Sequence, residues 1–121
     1  LILTSYYMND YAILTYGFFK QNILEAKKNG QFDQDFHMLS IDGDLYSMVR
    51  IEDINGFNNE LSLERIKLIS SDGPANYMRT KLRELTDEEY QLFLDYHFAT
   101  CERPELLGAA SHLLDIVRVN K

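Results

Sequence analysis

The sequence predicts an α/β fold built as a single domain. Three short runs rich in β-branched and aromatic residues, 1–8, 63–70 and 111–119, are separated by segments whose apolar residues recur at helical spacing. The chain has 121 residues, enough for one modest hydrophobic core, and no shift in composition divides it. The expected order of elements is therefore strand, helices, strand, helices, strand.

The first strand and the first helical segment occupy the N-terminal quarter of the chain. Residues 1–8 form a continuous rather than alternating apolar run, which is typical of a strand covered on both faces. Either Asn9 or Asp10 can cap the helix that follows, and its apolar spacing continues to a stop at 29–30. Gly17 is the expected point at which this segment divides into two helices.

The middle of the chain has weaker patterns. Residues 31–44 are polar with scattered aromatics and are predicted to form a loop. Residues 45–49 suit a short strand, and residues 50–54 suit a short helix that ends near the Asn55-Gly56 pair.

The second strand and the longest helix are marked more clearly. Polar and apolar residues alternate over 63–70, as in a strand with one wetter face, and a turn at 71–74 leads into a short helix from Pro74 to Leu85. Thr86 and Glu89 form a capping box at the start of the next helix. The apolar stripe of that helix is expected to face the core and consists of Tyr90, Phe93, Leu94, Phe98 and Cys101.

Composition and charge narrow the range of functions. Hydrophobic residues make up 45% of the chain and charged residues 26%, as in folded globular proteins. The formal net charge of -7 repels phosphate backbones and anionic membrane surfaces, so neither nucleic acid nor a membrane is an expected partner. No apolar run reaches membrane-spanning length, the N-terminus lacks signal-peptide features, and the single cysteine cannot form an internal disulfide. We therefore expect a cytoplasmic protein.

Four local phrases carry a resemblance to a known family. They run from Tyr7 to Leu14, from Val49 to Ile54, from Tyr96 to Arg103 and from Gly108 to Ile116. In combination they make the chain similar to the C-terminal part of a class I S-adenosylmethionine-dependent methyltransferase, in particular to bacterial homologues whose substrates are mostly unassigned. The chain also opens at Leu1 within an apolar run, as a piece of a longer protein would.

The resemblance implies a specific sheet. Residues 1–7 would be the fifth strand of a Rossmann-like sheet, residues 63–70 the sixth, and residues 111–119 the antiparallel seventh, inserted between the other two. With its flanking helices this piece would be α/β within the parent and α+β on its own, a single domain over residues 1–121. The N-terminal half of such an enzyme, which holds the cofactor on a glycine-rich turn, would be absent.

The glycines of the chain do not form such a turn. They lie at positions 17, 30, 43, 56, 73 and 108, with no two close together. We expect S-adenosylmethionine to be the cofactor of the full-length parent, and we expect neither a cofactor-binding residue nor a metal ligand in this piece.

Polar residues at the carboxyl ends of the parallel strands form the candidate substrate site, because ligands of open α/β sheets bind there. His112 is the candidate general base, since its unperturbed pKa lies near neutrality; alternatively, it only hydrogen-bonds a neighbouring loop. Adjacent strand residues point to opposite faces, so only one of the two tyrosines can line a pocket. The candidate substrate-binding residues are Tyr6, Tyr7, Asn9, Asp72 and Ser111.

Two other groups of residues favour structural roles. His97 and Cys101 share a helix face but have no third ligand or catalytic partner, so packing is favoured over a metal site or a nucleophile. Asp115 interrupts an apolar strand, and the resemblance predicts that it pairs with Lys67 on the neighbouring strand.

Two functions from different classes follow. The first is the substrate-side region of a methyltransferase that acts on a small molecule, with the piece inactive on its own. The second is a non-catalytic interaction or dimerisation module, a homodimer formed through the edge of strand 1–8 or through apolar helix faces. A hydrolase based on Cys101 has no supporting local signature.

Overall fold

The computed structural model describes residues 1–39 and 48–120 and has a mixed α/β architecture. Its strands are β1 (Ile2–Tyr7), β2 (Leu63–Ser70) and β3 (His112–Val119). Its helices are α1 (Asn9–Ala12), α2 (Ile23–Lys28), α3 (Ile51–Glu60), α4 (Arg79–Glu84), α5 (Asp87–Thr100) and α6 (Pro104–Leu107). A π-helical segment spans Ile13–Phe19, and a 3₁₀ turn spans Ala75–Tyr77.

Strand β3 lies between β1 and β2 and is antiparallel to both. β1 and β2 are therefore parallel to each other, and their carboxyl ends lie at the sheet edge where β3 begins. At that edge Tyr7 pairs with His112, and Ser70 pairs with Leu113. The predicted positions of the three strands and the antiparallel insertion of the last are confirmed.

The hydrophobic core lies where α3 and α6 meet one face of the sheet. Along β3 the residues that point to this face are Leu113, Asp115 and Val117, and all three are buried. The core cluster consists of Met8, Val49, Ile54, Leu107, Ala110 and Leu113, with Tyr6, Ile51 and Leu68 packed against it.

The expectation that β1 is covered on both faces is wrong. Ile2 and Leu3 are 42% and 63% exposed. β1 is an edge strand whose strand partner among the described residues is β3, and α3 reaches it near its end, where Phe57 stacks on Tyr6. The continuous apolar run therefore does not report full burial here.

The helical segment after β1 differs from the prediction at its start and at its break. Met8, rather than Asn9 or Asp10, occupies the cap position, and no side chain caps the helix. The break falls at residues 20–22, where Gln21 has a φ of 59°, and not at Gly17. Gly17 lies inside the π-helical segment, and its missing side chain leaves room for Ile23 of α2.

The middle of the chain is partly outside the described residues. Residues 31–39 are irregular, as predicted, with one isolated bridge between Phe32 and Met38; residues 40–44 of the predicted loop and 45–47 of the predicted strand lie outside the described ranges. Val49 forms a single parallel bridge with Met8.

Helix α3 is longer than predicted. It continues through Asn55 and Gly56 to Glu60 because Ile54 and Asn58, one turn apart, are both buried. Burial of this face outweighs the weak helix propensity of the Asn-Gly pair.

The capping box of α5 is confirmed, but the expected burial of its apolar stripe is wrong. Glu89 N donates to Thr86 Oγ1 over 3.2 Å, and Thr86 N donates to Glu89 Oε1 over 3.0 Å. No residue of α5 is fully buried; Tyr90 and Phe98 are 45% and 73% exposed, because few described residues cover this helix. The predicted helix from Pro74 to Leu85 is divided by Met78 into the 3₁₀ turn and α4. In the two described ranges no helix is long and apolar enough to cross a membrane.

Asp115 is a buried carboxylate, and its predicted partner is wrong. It accepts two hydrogen bonds from Arg65, Nε to Oδ1 over 2.8 Å and a terminal nitrogen to Oδ2 over 3.0 Å, and one from Asn58 over 2.8 Å. A β-bulge between Arg65 and Lys67 shifts β2 by one residue. Arg65 therefore shares the α3 face with Asp115, whereas Lys67 pairs with Glu102.

The buried ion pair predicts a large loss of stability on truncation. In Asp115→Ala the guanidinium of Arg65 and the buried amide of Asn58 lose their acceptor, and we expect the free energy of unfolding in urea to fall by about 3 kcal/mol or more. Glu64→Gln, which breaks the exposed pair with Arg118, is the control and should change stability little. Equal urea midpoints for the two variants would contradict this assignment.

His37 links the 31–39 segment to the start of α3. Its Nδ1 lies 2.9 Å from the carbonyl oxygen of Met38, and its Nε2 lies 2.5 Å from Oδ2 of Asp53. A carbonyl and a carboxylate both accept, so the protonated ring, with both nitrogens donating, satisfies the two contacts together. The hydrogen bond to Asp53 raises the pKa of His37, and burial only partly opposes it.

This link predicts a pH-dependent contribution to stability. Because the pKa of His37 is raised in the folded chain, the contribution is complete below the ordinary value of 6.5 and is lost as the pH rises through the folded value. The difference in Tm between the wild type and His37→Asn should therefore be largest in mildly acidic buffer and shrink at alkaline pH. Circular dichroism melts measure it, and a difference that grows with pH refutes the pairing.

Candidate functional site

The candidate site lies at the sheet edge where β1 and β2 end and β3 begins. Backbone pairing places Tyr7 beside His112, and Ser71 N donates to the carbonyl oxygen of His112 over 3.3 Å. Asp72 therefore reaches His112 although 40 residues separate them in sequence. This is the edge at which open α/β sheets bind ligands.

His112 is held by its Nδ1 atom. This nitrogen lies 2.8 Å from Oδ2 of Asp72 and 3.0 Å from Oγ of Ser111. Because a carboxylate accepts hydrogen bonds, the contact with Asp72 favours the tautomer with its proton on Nδ1, in which Nε2 carries the lone pair. No hydrogen bond from the described part of the chain reaches Nε2, and the His112 side chain is 35% exposed. A histidine held in this way can accept a proton from a ligand.

Asn76 and Tyr7 also contact the Asp72–His112 pair. The Asn76 amide donates to Oδ2 of Asp72 over 2.9 Å and lies 2.8 Å from Oγ of the fully buried Ser111. The ring of Tyr7 meets the His112 ring edge to face, with centroids 4.9 Å apart. The carboxylate and the imidazole are therefore fixed before any ligand arrives.

Gly73 holds the Asp72 loop close to α5. Its φ of 53° is left-handed, and a Cβ at this position would meet Nδ1 of His97 at 2.8 Å. Its N–H donates to Oγ of Ser70 over 2.7 Å, which closes the turn. A larger residue would move the turn, and Asp72 with it.

His112 also lines a cavity of about 510 Å³, here called the tyrosine cavity. It lies between the β edge, the π-helical segment and the start of α4. A second cavity of about 570 Å³ shares Tyr7, Tyr16 and His112 with it. The lining of the tyrosine cavity consists of Tyr7, Tyr11, Leu14, Thr15, Tyr16, Phe19, Lys20, Asn76, Tyr77, Arg79, Ser111 and His112.

Tyr7 is a neutral donor in this cavity rather than a base. Burial raises the pKa of the Tyr7 phenol, and the neighbouring phenols of Tyr16 and Tyr11 raise it further. The phenol therefore stays protonated at neutral pH.

The predicted substrate residues are only partly brought together. Tyr7 and Ser111 line the tyrosine cavity, whereas Tyr6 points to the opposite face, as the alternation predicts. Asn9 is buried: its Nδ2 donates to the carbonyl oxygen of Phe36 over 3.0 Å, and its Oδ1 accepts from Met38 N over 2.6 Å, outside the cavity. Asp72 hydrogen-bonds the His112 ring, which is the loop contact that the alternative interpretation of His112 describes.

Several cavity residues have no signal in the sequence. Tyr11, Tyr16 and Tyr77 are scattered along the chain, in α1, the π-helical segment and the 3₁₀ turn, and come together only in the fold. The Tyr11 and Tyr77 rings are 4.9 Å apart. Asn76 and Arg79 follow the turn after β2 and look like ordinary surface residues. The only hint is the density of tyrosine, eight in the chain.

The His97–Cys101 pair does not form a site in the structure. Cys101 is half-buried with its sulfur near the carbonyl oxygen of Phe98, and His97 packs against Gly73. Among residues 1–39 and 48–120 no group of three or more His, Cys, Asp or Glu side chains could hold a metal ion.

The described residues do not fit S-adenosylmethionine. A nucleotide-like cofactor needs backbone amides presented by a tight glycine bend. Gly17 and Gly73 lie against the chain's own Ile23 and His97, and the other described glycines are isolated in sequence and space. Gly43 lies outside the described ranges.

Comparisons with known proteins identify no relative. No protein-family model, no curated protein and no solved structure matches the chain.

Proposed function

We propose that this chain is the substrate-side region of an S-adenosylmethionine-dependent methyltransferase that acts on a small molecule, and that His112 is its general base. The observation that carries the proposal is the Asp72–His112 pair at the carboxyl edge of the sheet, with His112 among the residues that line the tyrosine cavity. The strand order supports it, because an antiparallel last strand between two parallel strands is what the resemblance implies.

In this proposal the residues of the chain bind and deprotonate the methyl acceptor. Nε2 of His112 accepts the proton of an acceptor hydroxyl or amine, and Asp72 stabilises the imidazolium that forms. Tyrosine rings enclose the body of the acceptor and exclude water. In this proposal residues outside this chain hold the cofactor.

A second candidate function has one specific observation in its favour, the open edge of β1. On the edge of β1 that faces away from β3, the backbone pairing found among the described residues is the single bridge between Met8, just after β1, and Val49. Ile2 and Leu3 of β1 are exposed. An unpaired edge strand with apolar residues favours association of two copies.

The methyltransferase proposal is tested on the protein encoded by the whole reading frame that contains this chain. We expect it to transfer labelled methyl groups from S-adenosylmethionine to a small-molecule acceptor. His112→Asn should lower kcat/KM about 100-fold or more, with cofactor binding by calorimetry unchanged, because only proton removal is lost.

Gln91→Asn is the control, since Gln91 is an exposed residue of α5 outside the tyrosine cavity, and it should retain wild-type kcat/KM. A full-length protein that does not bind S-adenosylmethionine, or a His112→Asn variant as active as the wild type, would refute the proposal.

The interaction module is tested by sedimentation of this chain at several concentrations. If β1 is the interface, the wild type should dimerise and Leu3→Lys should be monomeric, because a lysine on the edge blocks strand pairing. Leu24→Lys, on exposed α2, is the control and should leave the dimer intact. A wild type that is monomeric at all concentrations rules the module out.

A further inference from the structure

The tyrosine cavity carries charge of one sign, although the chain as a whole carries the other. The formal net charge is -7, with 19 acidic and 12 basic residues. Among the described residues, the Lys and Arg side chains that line the cavity are Lys20 and Arg79, and none of the described Asp or Glu residues lines it. In a chain with this acidic excess, a cavity wall with two cations and no carboxylate favours an anionic ligand.

Neither cation is neutralised by a carboxylate of the described residues. The salt bridges found there do not include Lys20 or Arg79. Nζ of Lys20 lies 4.5 Å above the centre of the Tyr16 ring. Nε of Arg79 donates to Oδ1 of Asn76 over 3.0 Å, and no other hydrogen bond or salt bridge of Arg79 is found among the described residues.

The remainder of the wall suits a flat apolar body. Four tyrosines and Phe19 line the cavity, and Tyr11 and Tyr77 meet edge to face with ring planes at 78°. Aromatic walls of this kind pack favourably against another aromatic ring. His112 lies on the same wall and therefore faces the ligand that the two cations would hold.

We infer that the tyrosine cavity binds a small aromatic anion, a carboxylate or phosphate attached to a ring that bears a hydroxyl or amino group. Arg79 and Lys20 bind the anionic group, the tyrosines enclose the ring, and His112 faces the hydroxyl or amine. Only the identification of this ligand as the methyl acceptor rests on the proposed function. Binding of the aromatic anion to the cavity needs no cofactor.

The test is a binding titration of this chain, with the tyrosine rings observed by NMR. The probes are 4-hydroxybenzoate, the neutral 4-hydroxybenzamide of the same shape, and inorganic sulfate. We expect the carboxylate to bind about tenfold more tightly than the amide, since a charge-assisted hydrogen bond is lost in the amide. Sulfate should bind more weakly than either aromatic probe, and high salt should weaken only the anions.

Variants locate the binding. Arg79→Gln should weaken 4-hydroxybenzoate about tenfold and leave 4-hydroxybenzamide unchanged. Arg83→Gln, on the same helix but outside the cavity wall, is the control and should bind both probes as the wild type does.

The inference is overturned if the carboxylate and the amide bind equally, if sulfate alone binds as tightly as the aromatic anion, or if Arg79→Gln and Arg83→Gln behave alike. Its failure differs from that of the proposed function. If the chain binds the aromatic anion but the full-length protein transfers no methyl group, only the methyltransferase proposal is refuted. If the full-length protein methylates a neutral acceptor and the chain does not bind the anion, only the anion-binding inference is refuted.

Discussion

The insertion of β3 between two parallel strands is the constraint on which the rest of the structure depends. Both edges of β3 are hydrogen-bonded, to β1 on one side and to β2 on the other. Since β3 is antiparallel to both, its first residue lies where the other two strands end. His112 therefore meets Tyr7 and Asp72, which lie far from it along the chain, and a change in the pairing of any strand would separate them.

The two faces of the sheet carry different kinds of residue along β3. The face toward α3 holds the hydrophobic core and the buried Asp115, which is neutralised by Arg65 and hydrogen-bonded by Asn58. A buried carboxylate is tolerated only with such partners. The opposite side of the same strand begins with His112, whose single carboxylate partner leaves one ring nitrogen available. Because side chains alternate between the two faces along β3, the buried residues lie on one face and His112 lies on the other.

Much apolar surface stays uncovered in the described residues. Leu3 on β1 and Leu92 and Phe98 on α5 are 63%, 64% and 73% exposed. Exposed apolar groups in such number are unusual for an isolated soluble domain and mark surfaces that contact other chains or other segments. Both proposed functions account for them, one through the remainder of a longer enzyme and the other through a second copy.

The sequence by itself determined the local features. Runs of β-branched, aromatic and other apolar residues located β1, β2 and β3, and the Thr86-Glu89 spacing located the start of α5, because these signals depend on neighbours within one turn or one strand. The order of the strands followed from the resemblance and not from these patterns. Burial of β1 and α5 was misjudged, since apolar periodicity shows which face can be buried and not whether anything covers it.

Only the tertiary structure decided which side chains contact each other. The bulge in β2 exchanged Lys67 for Arg65 as the counterion of Asp115. The approach of the π-helical segment to the turn after β2 created the tyrosine cavity and brought Arg79 to it. Such contacts join residues tens of positions apart, and a one-residue shift in register reverses which face a side chain occupies. No local pattern carries that information.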